Sequence, residues 1–558
     1  MGPTADVDMF APFERDVILE VRTSRMKIML GLAIQSGIDK EIRSGKVFVT
    51  KTGIEEDEHD LTFHGGVDKA IHGCEYCSSH YPKWRSEFPE AAERFEPGGF
   101  GENFVTSNMN ERNVCIGDIM SVGSEGLLLQ VSLPRQPCFK LGHRFQLKNF
   151  APHTTKLSRT GWYYRVLREG WVQAGDEIKL VERKWPKWTI ERLQEYLHRK
   201  QDNHAMNEEL ATIEDMGDES RGNFKNRVAK QKAKEKREAG GVNGKDEDKW
   251  IPYKIVEKKR QTPRITSFVF EAVTPETETP EDELGGHVRI KLPNGLVRSY
   301  SIARGNKNRF ELGIALETNS RGGSEYFHKT AEEGHILPVG HITTDVEPAG
   351  LASNHIFIVG GIGITAFLTM LELYQRIHYN TILHYAVRSA TEIPFPSRIT
   401  NLGDLVHLYD ASKNQRMNIP TIFATRSWNS HIYVCGPRRM MDEAAAQAKL
   451  HGLGDDDVHF EAFQANTTGD PFAVSVANQG NEKLSVGAEE TLLEVLKRRF
   501  GEDDVPSSCE VGNCGTCRVT VRSGRVEHRG SALGEEEKGE GVMLSCVSRG
   551  VGPIVIEI

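Results

Sequence analysis

The sequence predicts a multidomain α/β and β protein, and three observations carry that prediction. At 558 residues, and roughly 150 residues per domain, the chain has room for about three to five domains. Apolar residues make up 38% and charged residues 27%, with 53 glycines. That composition buries several cores and excludes a collagen-like, wholly disordered or membrane-embedded chain. The third observation is a change of pattern along the chain. Glycine-rich loops between short strands fill the front; buried strands that break into glycine turns and helices follow the middle; a cysteine cluster closes the chain.

Charge excludes some partners. Seventy Lys and Arg against 79 Asp and Glu give a net charge of −9 with no long basic block, so no nucleic-acid partner is expected. The apolar run at residues 28–34 is far shorter than the roughly 20 residues a bilayer span needs, so no membrane partner is expected either. Asp6 and Asp8 stand where a leader would be basic, which points to the cytoplasm. The nine cysteines (Cys74, Cys77, Cys115, Cys138, Cys435, Cys509, Cys514, Cys517 and Cys546) are odd in number and unevenly spread. A disulfide framework would use an even set in a small secreted chain, so a reducing compartment fits better.

Residues 1–185 read as a β-rich domain with blocks at His64–His72, Phe100–Asn103, Ile116–Asp118, Pro134–Cys138 and Gly161–Val166. Together these blocks resemble a MOSC domain of the hydroxylaminopurine-resistance type, with a core at about residues 25–184. The resemblance implies a β-rich barrel that binds the molybdenum cofactor through Cys138. A soft thiolate suits a high-valent oxo-metal, and the prolines flanking Cys138 stiffen its loop. Arg135, Lys69 and His64 are the candidate catalytic partners, for the pterin phosphate or for substrate, with a structural role open for each. Cys74 and Cys77 form an extra C-x2-C that has no second pair at a matching spacing, and it is read as coincidence. Cys115 is read as packing. Residues 186–230 resemble the small three-helix segment that follows in that subtype. Residues 231–249, charged and poor in aromatics, read as a solvated linker.

The next segment, 250–348, contains Arg298, Ser299, Tyr300 and Ser301, and then Arg321, Gly322, Gly323 and Ser324. The second group is a suitable nest for a phosphate. The R-x-Y-S and R-G-G-S pair resembles the phthalate dioxygenase reductase branch of the ferredoxin-NADP reductase superfamily. That implies an antiparallel flavin-binding barrel holding FMN rather than FAD, with Tyr300 packed on the flavin ring. In 349–465, a buried strand breaks at Gly360, Gly361 and Gly363, with Thr365 before a helix over 366–377. A helix start with glycines offers N–H groups to a pyrophosphate, although the generic G-x-G-x-x-G spacing is absent. The turn and the later Cys435, Gly436 and Pro437 resemble the two nucleotide motifs of the same superfamily, which implies an α/β domain with a parallel sheet. Glu461 and Phe463 are candidates to close the flavin face. Arg388 and Ser389 stand either to meet a 2′-phosphate or to cap a turn; NADH is favoured over NADPH from the branch resemblance.

In 470–558, residues 472–476 and 482–486 alternate as a strand pair, and 491–500 reads as an amphipathic helix with Thr491 near its N-cap. Cys509, Cys514 and Cys517, with Cys546 beyond, have the C-x4-C-x2-C…C spacing of a plant-type [2Fe–2S] site. Four thiolates suit two irons, and Gly512 and Gly515 let backbone N–H groups approach the sulfurs. A zinc knuckle would use paired C-x2-C units instead. The whole segment resembles plant-type ferredoxins, which implies a β-grasp fold.

A nicotinamide gives two electrons at once and a [2Fe–2S] cluster takes one; a flavin between them converts. The leading reading is therefore a self-sufficient reductase in which NAD(P)H, FMN, the cluster and molybdenum act in series on a small-molecule N-hydroxylated substrate. Hydroxylaminopurines, other N-hydroxylated bases, hydroxylamines and amidoximes are the class the MOSC resemblance implies. Tethering makes the electron delivery intramolecular. Two alternatives stand beside it: a reductase for a separate electron-accepting oxygenase, and a front half that carries molybdopterin or sulfur without reducing anything.

Overall fold

The computed structural model describes residues 13–61, 65–71, 75–239, 250–275, 286–317, 322–340, 342–344, 349–454, 457–463, 469–501, 505–507, 510–512, 515–530 and 532–558. They form two compact units, one of residues 1–244 with 350–353, the other of 245–349 with 354–558. Among the described residues no helix is long and apolar enough to cross a membrane.

The front unit is β-rich. Its largest sheet is antiparallel and runs β1 (Arg15–Val17), β5 (Glu177–Glu182), β2 (Ile119–Val122), β3 (Leu127–Pro134), β4 (Trp162–Arg168). Four- and three-stranded sheets and a hairpin complete the strands. β3 reads as an almost unbroken apolar run because nearly all of it is buried, as a strand covered on both faces must be. The turn from β2 to β3 uses Gly123 and Gly126 at φ 58° and 84°, a region a β-carbon disfavours. A second cluster of stacked rings, including Tyr76, Trp84, Phe95, Phe100, Phe145 and Phe150, packs α1 (His80–Glu87) and α2 (Phe139–Phe145).

Three helices follow, as expected: α3 (Ile190–Gln194), α4 (His204–Ala211) and α5 (Asp218–Ala239). The last corrects the sequence reading. It runs through residues 231–239, which were expected to open the charged linker. Its stretch of Lys, Ala, Gln, Glu and Arg is hydrophilic, but these are strong helix formers, and Asp218 and Glu219 in the first turn suit the helix dipole. Low hydrophobicity was read there as loss of structure. Phe224 is fully buried, and Arg227 donates to the carbonyls of Tyr196 and Leu197 at 2.7 and 2.8 Å.

In the second unit, β6 (Ile251–Arg260), β7 (Ile265–Ala272), β8 (Gly286–Lys291), β9 (Val297–Gly305), β10 (Arg309–Ala315), β11 (Ile336–Val339) and β12 (Thr343–Thr344) form an antiparallel sheet. Its order is β9-β10-β7-β6-β11-β8-β12, and an added β8–β9 pairing closes it into a barrel. A short helix, α6 (Gly323–Lys329), lies beside it.

The nucleotide segment is a parallel sheet in the order β15-β14-β13-β16-β17. Its strands are β13 (Asn354–Gly360), β14 (Thr381–Val387), β15 (Val406–Asp410), β16 (Ser430–Cys435) and β17 (Val458–Phe460). β13 and β16 are entirely buried, which is why they read as apolar runs. The chain leaves β13 through a 3-10 turn, Gly361–Ala366, into α7 (Leu368–Arg376); α8 (Arg438–Leu450) follows β16.

The last segment is a mixed sheet, β19-β18-β22-β20-β21, built from β18 (Phe472–Val476), β19 (Glu482–Val486), β20 (Arg518–Glu527), β21 (Val542–Leu544) and β22 (Arg549–Glu557). Against it packs α9 (Leu492–Phe500), where Thr491 and Glu494 form a capping box and Leu492, Leu493, Val495 and Leu496 are buried. The described fold is multidomain α/β and β, with a closed antiparallel barrel, a parallel α/β sheet, a mixed ferredoxin-like sheet and a β-rich front unit.

Candidate functional site

One cleft gathers the second unit. Its volume is ≈ 1160 Å³, and it is lined by Ile265 and Ala315 of the barrel, Gly360 and Pro437 of the nucleotide segment, and Val511 and Gly530 of the last segment. Three stretches of sequence, within 264–317, 360–463 and 511–547, thus share one cavity.

The nucleotide motifs meet at close range. Val359 of β13 pairs in register with Cys435 of β16, so the two strands end side by side. An ideal β-carbon on Gly363 would lie 2.5 Å from the Cys435 carbonyl oxygen, and one on Gly360 would lie 2.6 Å from Pro437. Gly436 would meet Met440 Sδ at 2.7 Å. Gly363 faces backbone and Gly360 a proline ring, so a side chain at either would force a shift, whereas the Met440 end facing Gly436 could swing aside; the bare backbone is what a dinucleotide pyrophosphate requires. Cys435 is buried, and burial, then Glu461, pushes its thiol well above the usual range. It is a neutral thiol at neutral pH. Glu461 is buried, while Phe463 is exposed and lines the cleft. Thr365 donates to the Ile362 carbonyl at 2.9 Å and packs its methyl toward Gly313 of β10. Ser389 caps a short turn by accepting from the Thr391 N–H, and exposed Arg388 lines the cleft.

Barrel and nucleotide segment are clamped at one carbonyl. Ala303 O, two residues beyond Ser301, accepts from Thr369 Oγ1 at 2.8 Å and from Arg398 Nη1 at 2.9 Å. Arg398 is itself held by Glu372 at 2.6 Å.

The flavin motifs also converge. A β-carbon on Gly323 would lie 2.9 Å from Arg298 Cγ and 3.2 Å from the Tyr300 hydroxyl, so the first turn of α6 lies directly on the R-x-Y-S strand. Gly322 enters that turn at φ 90°. Ser324 Oγ accepts from the Glu317 N–H at 3.3 Å. Tyr300 meets Phe327 edge-on at 5.2 Å, and burial raises its phenol well above the usual range. Arg321 lies outside the described residues. The residues present fit a flavin: the cradle would be filled by any side chain at Gly323.

In the last segment, Cys517 and Cys546 are both buried. Ser545 joins them, its N–H and hydroxyl donating to the Cys517 carbonyl at 3.0 and 2.9 Å. Gly512 and Gly515 have φ 88° and 75°, and a β-carbon on Gly512 would lie 2.8 Å from both Gly530 Cα and Val547. Glycine is required there, which fits a tight cluster loop. Cys509 and Cys514 lie outside the described residues.

In the front unit, Cys138 is the N-cap of α2 and its half-buried thiol is free. Arg135 of the same loop is buried, its guanidinium 6.0 Å from the Phe100 ring. Its N–H donates to Gly161 O at 3.0 Å; the Gly161 N–H in turn donates to Glu111 Oε1 at 2.8 Å, and Glu111 Oε2 lies 2.8 Å from His80 Nε2. Burial pushes the Glu111 pKa up, but His80 and the backbone donors outweigh it and the carboxyl is held below its ordinary value. Beside Arg135, Lys40 Nζ donates to both oxygens of Asp57 at 2.5 Å, with both side chains 3% exposed. Burial lowers the Lys40 pKa against the pull of Asp57. Asp57 also accepts from Ser24 N and Asn103 Nδ2 at 2.8 and 3.0 Å. Lys69 forms an ion pair with Glu219 of α5 and lies 5.7 Å from the Tyr163 ring. His64 and Cys74 lie outside the described residues. Cys77 bonds Ser79 and the Ser107 carbonyl, and burial pushes it up to about 11; burial pushes Cys115 up to about 12.

Lys40, Asp57, His80 and Glu111 carry no local sequence signal. Glu102, of the expected Phe100–Asn103 block, is fully buried and accepts from Tyr81 Oη and the N–H groups of Gly98 and Phe100. Among the described residues no three His, Cys, Asp or Glu side chains cluster to hold a bare metal ion. Cys138 offers one soft thiol, which fits instead a metal that arrives with ligands of its own.

These sites define a reductase in which a flavin- and nicotinamide-dependent module ends in a [2Fe–2S] domain and is preceded by a MOSC domain. The MOSC domain family matches residues 60–179, and the 2Fe-2S iron-sulfur cluster binding domain family matches residues 476–550. A protein of Gibberella moniliformis (strain M3125 / FGSC 7600) named simply Reductase is 34% identical over 97% of this chain and 95% of its own length. The chain belongs to the family of that reductase. The heme-dependent oxidative N-demethylase beta subunit of Ectopseudomonas mendocina is 33% identical over 55% of this chain and 99% of its own. Phthalate dioxygenase reductase of Burkholderia cepacia is 30% identical over 54% of this chain and 95% of its own. Among solved structures, a phthalate dioxygenase reductase covers 56% of this chain and 99% of its own at 27% identity, with a TM-score of 0.45. YiiM from Geobacillus stearothermophilus covers 38% of this chain and 99% of its own at 31% identity, with a TM-score of 0.32. The protein is an oxidoreductase that takes electrons from NAD(P)H through a flavin and carries a [2Fe–2S] domain.

Proposed function

We propose that the chain is a self-sufficient molybdenum-cofactor reductase for N-hydroxylated compounds, of which hydroxylaminopurines, other N-hydroxylated bases, hydroxylamines and amidoximes are the class. The observation that carries this reading is the half-buried thiol of Cys138 on a loop with buried Arg135, within a chain whose other half is a reductase. In balance, R–NHOH, NAD(P)H and a proton give R–NH2, water and NAD(P)+: the N–O bond breaks, and two electrons and two protons enter. When bound, the nicotinamide supplies a hydride, the flavin and cluster separate its electrons, and the metal at Cys138 delivers them to nitrogen and oxygen.

The chain's own residues hold and exclude. Arg298, Ser299, Tyr300, Ser301 and Arg321 to Ser324 hold FMN. Gly360, Gly361, Gly363 and Thr365, with Cys435, Gly436 and Pro437, hold the nucleotide, and Cys509, Cys514, Cys517 and Cys546 hold the cluster. Arg135 orients an anionic cofactor or substrate group, with Lys69 and His64 beside it in the proposed set. We assign residues 1–185 to the molybdenum domain, 186–239 to the helices, 250–348 to FMN, 349–465 to NAD(P)H and 470–558 to the cluster.

Holoprotein given a hydroxylaminopurine should consume NAD(P)H. Cys138→Ala should abolish that consumption and leave ferricyanide reduction intact. Turnover unchanged by Cys138→Ala would refute the reading. The second reading is an external oxygenase as electron acceptor, to which the subunit names of the N-demethylase and phthalate dioxygenase relatives point; a reductase truncated before Trp250 that fully supports the cell's activity would favour it.

A further inference from the structure

We propose that Arg289 is the positioning residue that docks the cluster loop on the flavin barrel and so sets the rate of the flavin-to-cluster step. The inference rests on the assignment of Cys509 to the cluster and of the Arg298–Ser301 strand to the flavin.

Arg289 lies on β8, in register with Ser299 on β9, so its backbone is one strand away from the flavin motif. Its guanidinium leaves the barrel. Nη1 donates to the Ser507 carbonyl at 2.6 Å, two residues ahead of Cys509 in the sequence. Trp250, the residue before β6, has its ring centre 5.5 Å from the guanidinium. The Gly340 N–H donates to the Arg289 carbonyl at 2.9 Å.

On the far side the contact continues. Ser507 is buried, and its hydroxyl donates to Glu510 Oε1 at 3.2 Å; Lys497 of α9 donates to the same oxygen at 2.6 Å. Glu510, next after Cys509, sits at φ 58°, a conformation a side chain rarely adopts unless its surroundings impose it. Glu510 is thus held by Lys497 of its own segment's helix, and Ser507 by a barrel residue. A bond from a charged donor to a carbonyl is stronger than a neutral one. A planar guanidinium can stack on Trp250 while it donates, which a lysine ammonium cannot. Electron transfer between two bound groups depends on their separation, so the barrel-to-loop contact acts directly on that step.

The test uses full-length holoprotein of wild type, Arg289→Ala and Arg289→Lys, with flavin and iron contents measured first. In stopped flow, NAD(P)H should bleach the flavin equally fast in all three. Cluster reduction should slow about tenfold in Arg289→Ala and recover in part in Arg289→Lys. Hydrogen exchange of the amides of Val505, Ser507 and residues 510–512 should quicken by a similar factor in Arg289→Ala, and the spectrum of the chemically reduced cluster should stay unchanged. Equal cluster-reduction rates in wild type and Arg289→Ala would overturn the proposal whatever exchange shows. Wild-type protein without iron or flavin would instead sink the assignments beneath it.

Discussion

Gly363→Ala is the smallest change that should disable nucleotide use. The new β-carbon would stand 2.5 Å from the Cys435 carbonyl oxygen, 2.9 Å from its carbon and 3.1 Å from Sγ, against an ordinary carbon contact of about 3.5–4.0 Å. The nearest atom is backbone, fixed by the register of Val359 with Cys435, so it cannot swing aside as a side-chain end would. Overpacking of this kind costs about 1–3 kcal/mol. If all of that opposes the geometry that receives the pyrophosphate, kcat/KM for NAD(P)H falls about 5- to 150-fold. Gly361→Ala is the contrast. Nothing lies within 4 Å of its β-carbon, but φ is +56°, so only left-handed strain of about 1–2 kcal/mol applies. The assay is NAD(P)H-driven ferricyanide reduction at matched flavin and iron content. A Gly363→Ala protein with wild-type kcat/KM and intact cofactors would refute the reasoning.

Two further predictions concern stability. Asp57→Ala strips the buried Lys40 ammonium of both its 2.5 Å acceptors, which should cost about 3–5 kcal/mol, whereas the paired replacement Lys40→Met with Asp57→Leu should restore only part of it, because Ser24 N–H and Asn103 Nδ2 still lose their acceptor; thermal scans of the full chain decide, and an Asp57→Ala protein that melts with wild type contradicts this. His355 is packed among Tyr374, Tyr379 and Tyr433, and burial, then His431, brings its pKa from 6.5 down to about 3. Between those values the unfolded chain binds a proton that the folded chain refuses, so stability present above pH 6.5 drains as pH falls toward 3. His355→Phe should flatten that acid limb in urea titrations; parallel curves for the two proteins would count against it.

Much of the second unit was legible because its chemistry demands residue types that leave local marks. Glycines that must lack a β-carbon, as at Gly360, Gly363 and Gly323, stand in short patterns at the ends of strands, and Thr491 announces its helix through the cap it makes with Glu494. What did not show was tertiary. A lysine at 40 and an aspartate at 57 each look like ordinary surface charge, and only the fold brings them together out of water. Arg289 is likewise one charged residue on an alternating strand until the barrel meets Ser507. The helix over residues 231–239 does not show for a different reason: hydropathy reports on burial, and a hydrophilic stretch rich in Lys, Glu and Ala forms helix on propensity instead.

The two units use different devices to place their reactive groups, and the devices fail differently. In the second unit backbone meets backbone: β13 against β16, α6 against β9, the Gly512 turn against Gly530. Placement at these three contacts depends on volume, so it is intolerant of a single methyl group. In the front unit the loop bearing Arg135 and Cys138 is held by charge: Glu111, paired with His80, takes the N–H of Gly161, whose carbonyl holds Arg135. Glu111 titrates below its ordinary value of 4.5, so this support is complete above that pH and is lost as the pH falls through the folded-state value below it. A chain that must pass electrons across several centres gains from rigid spacing where it hands them on, since separation sets the rate.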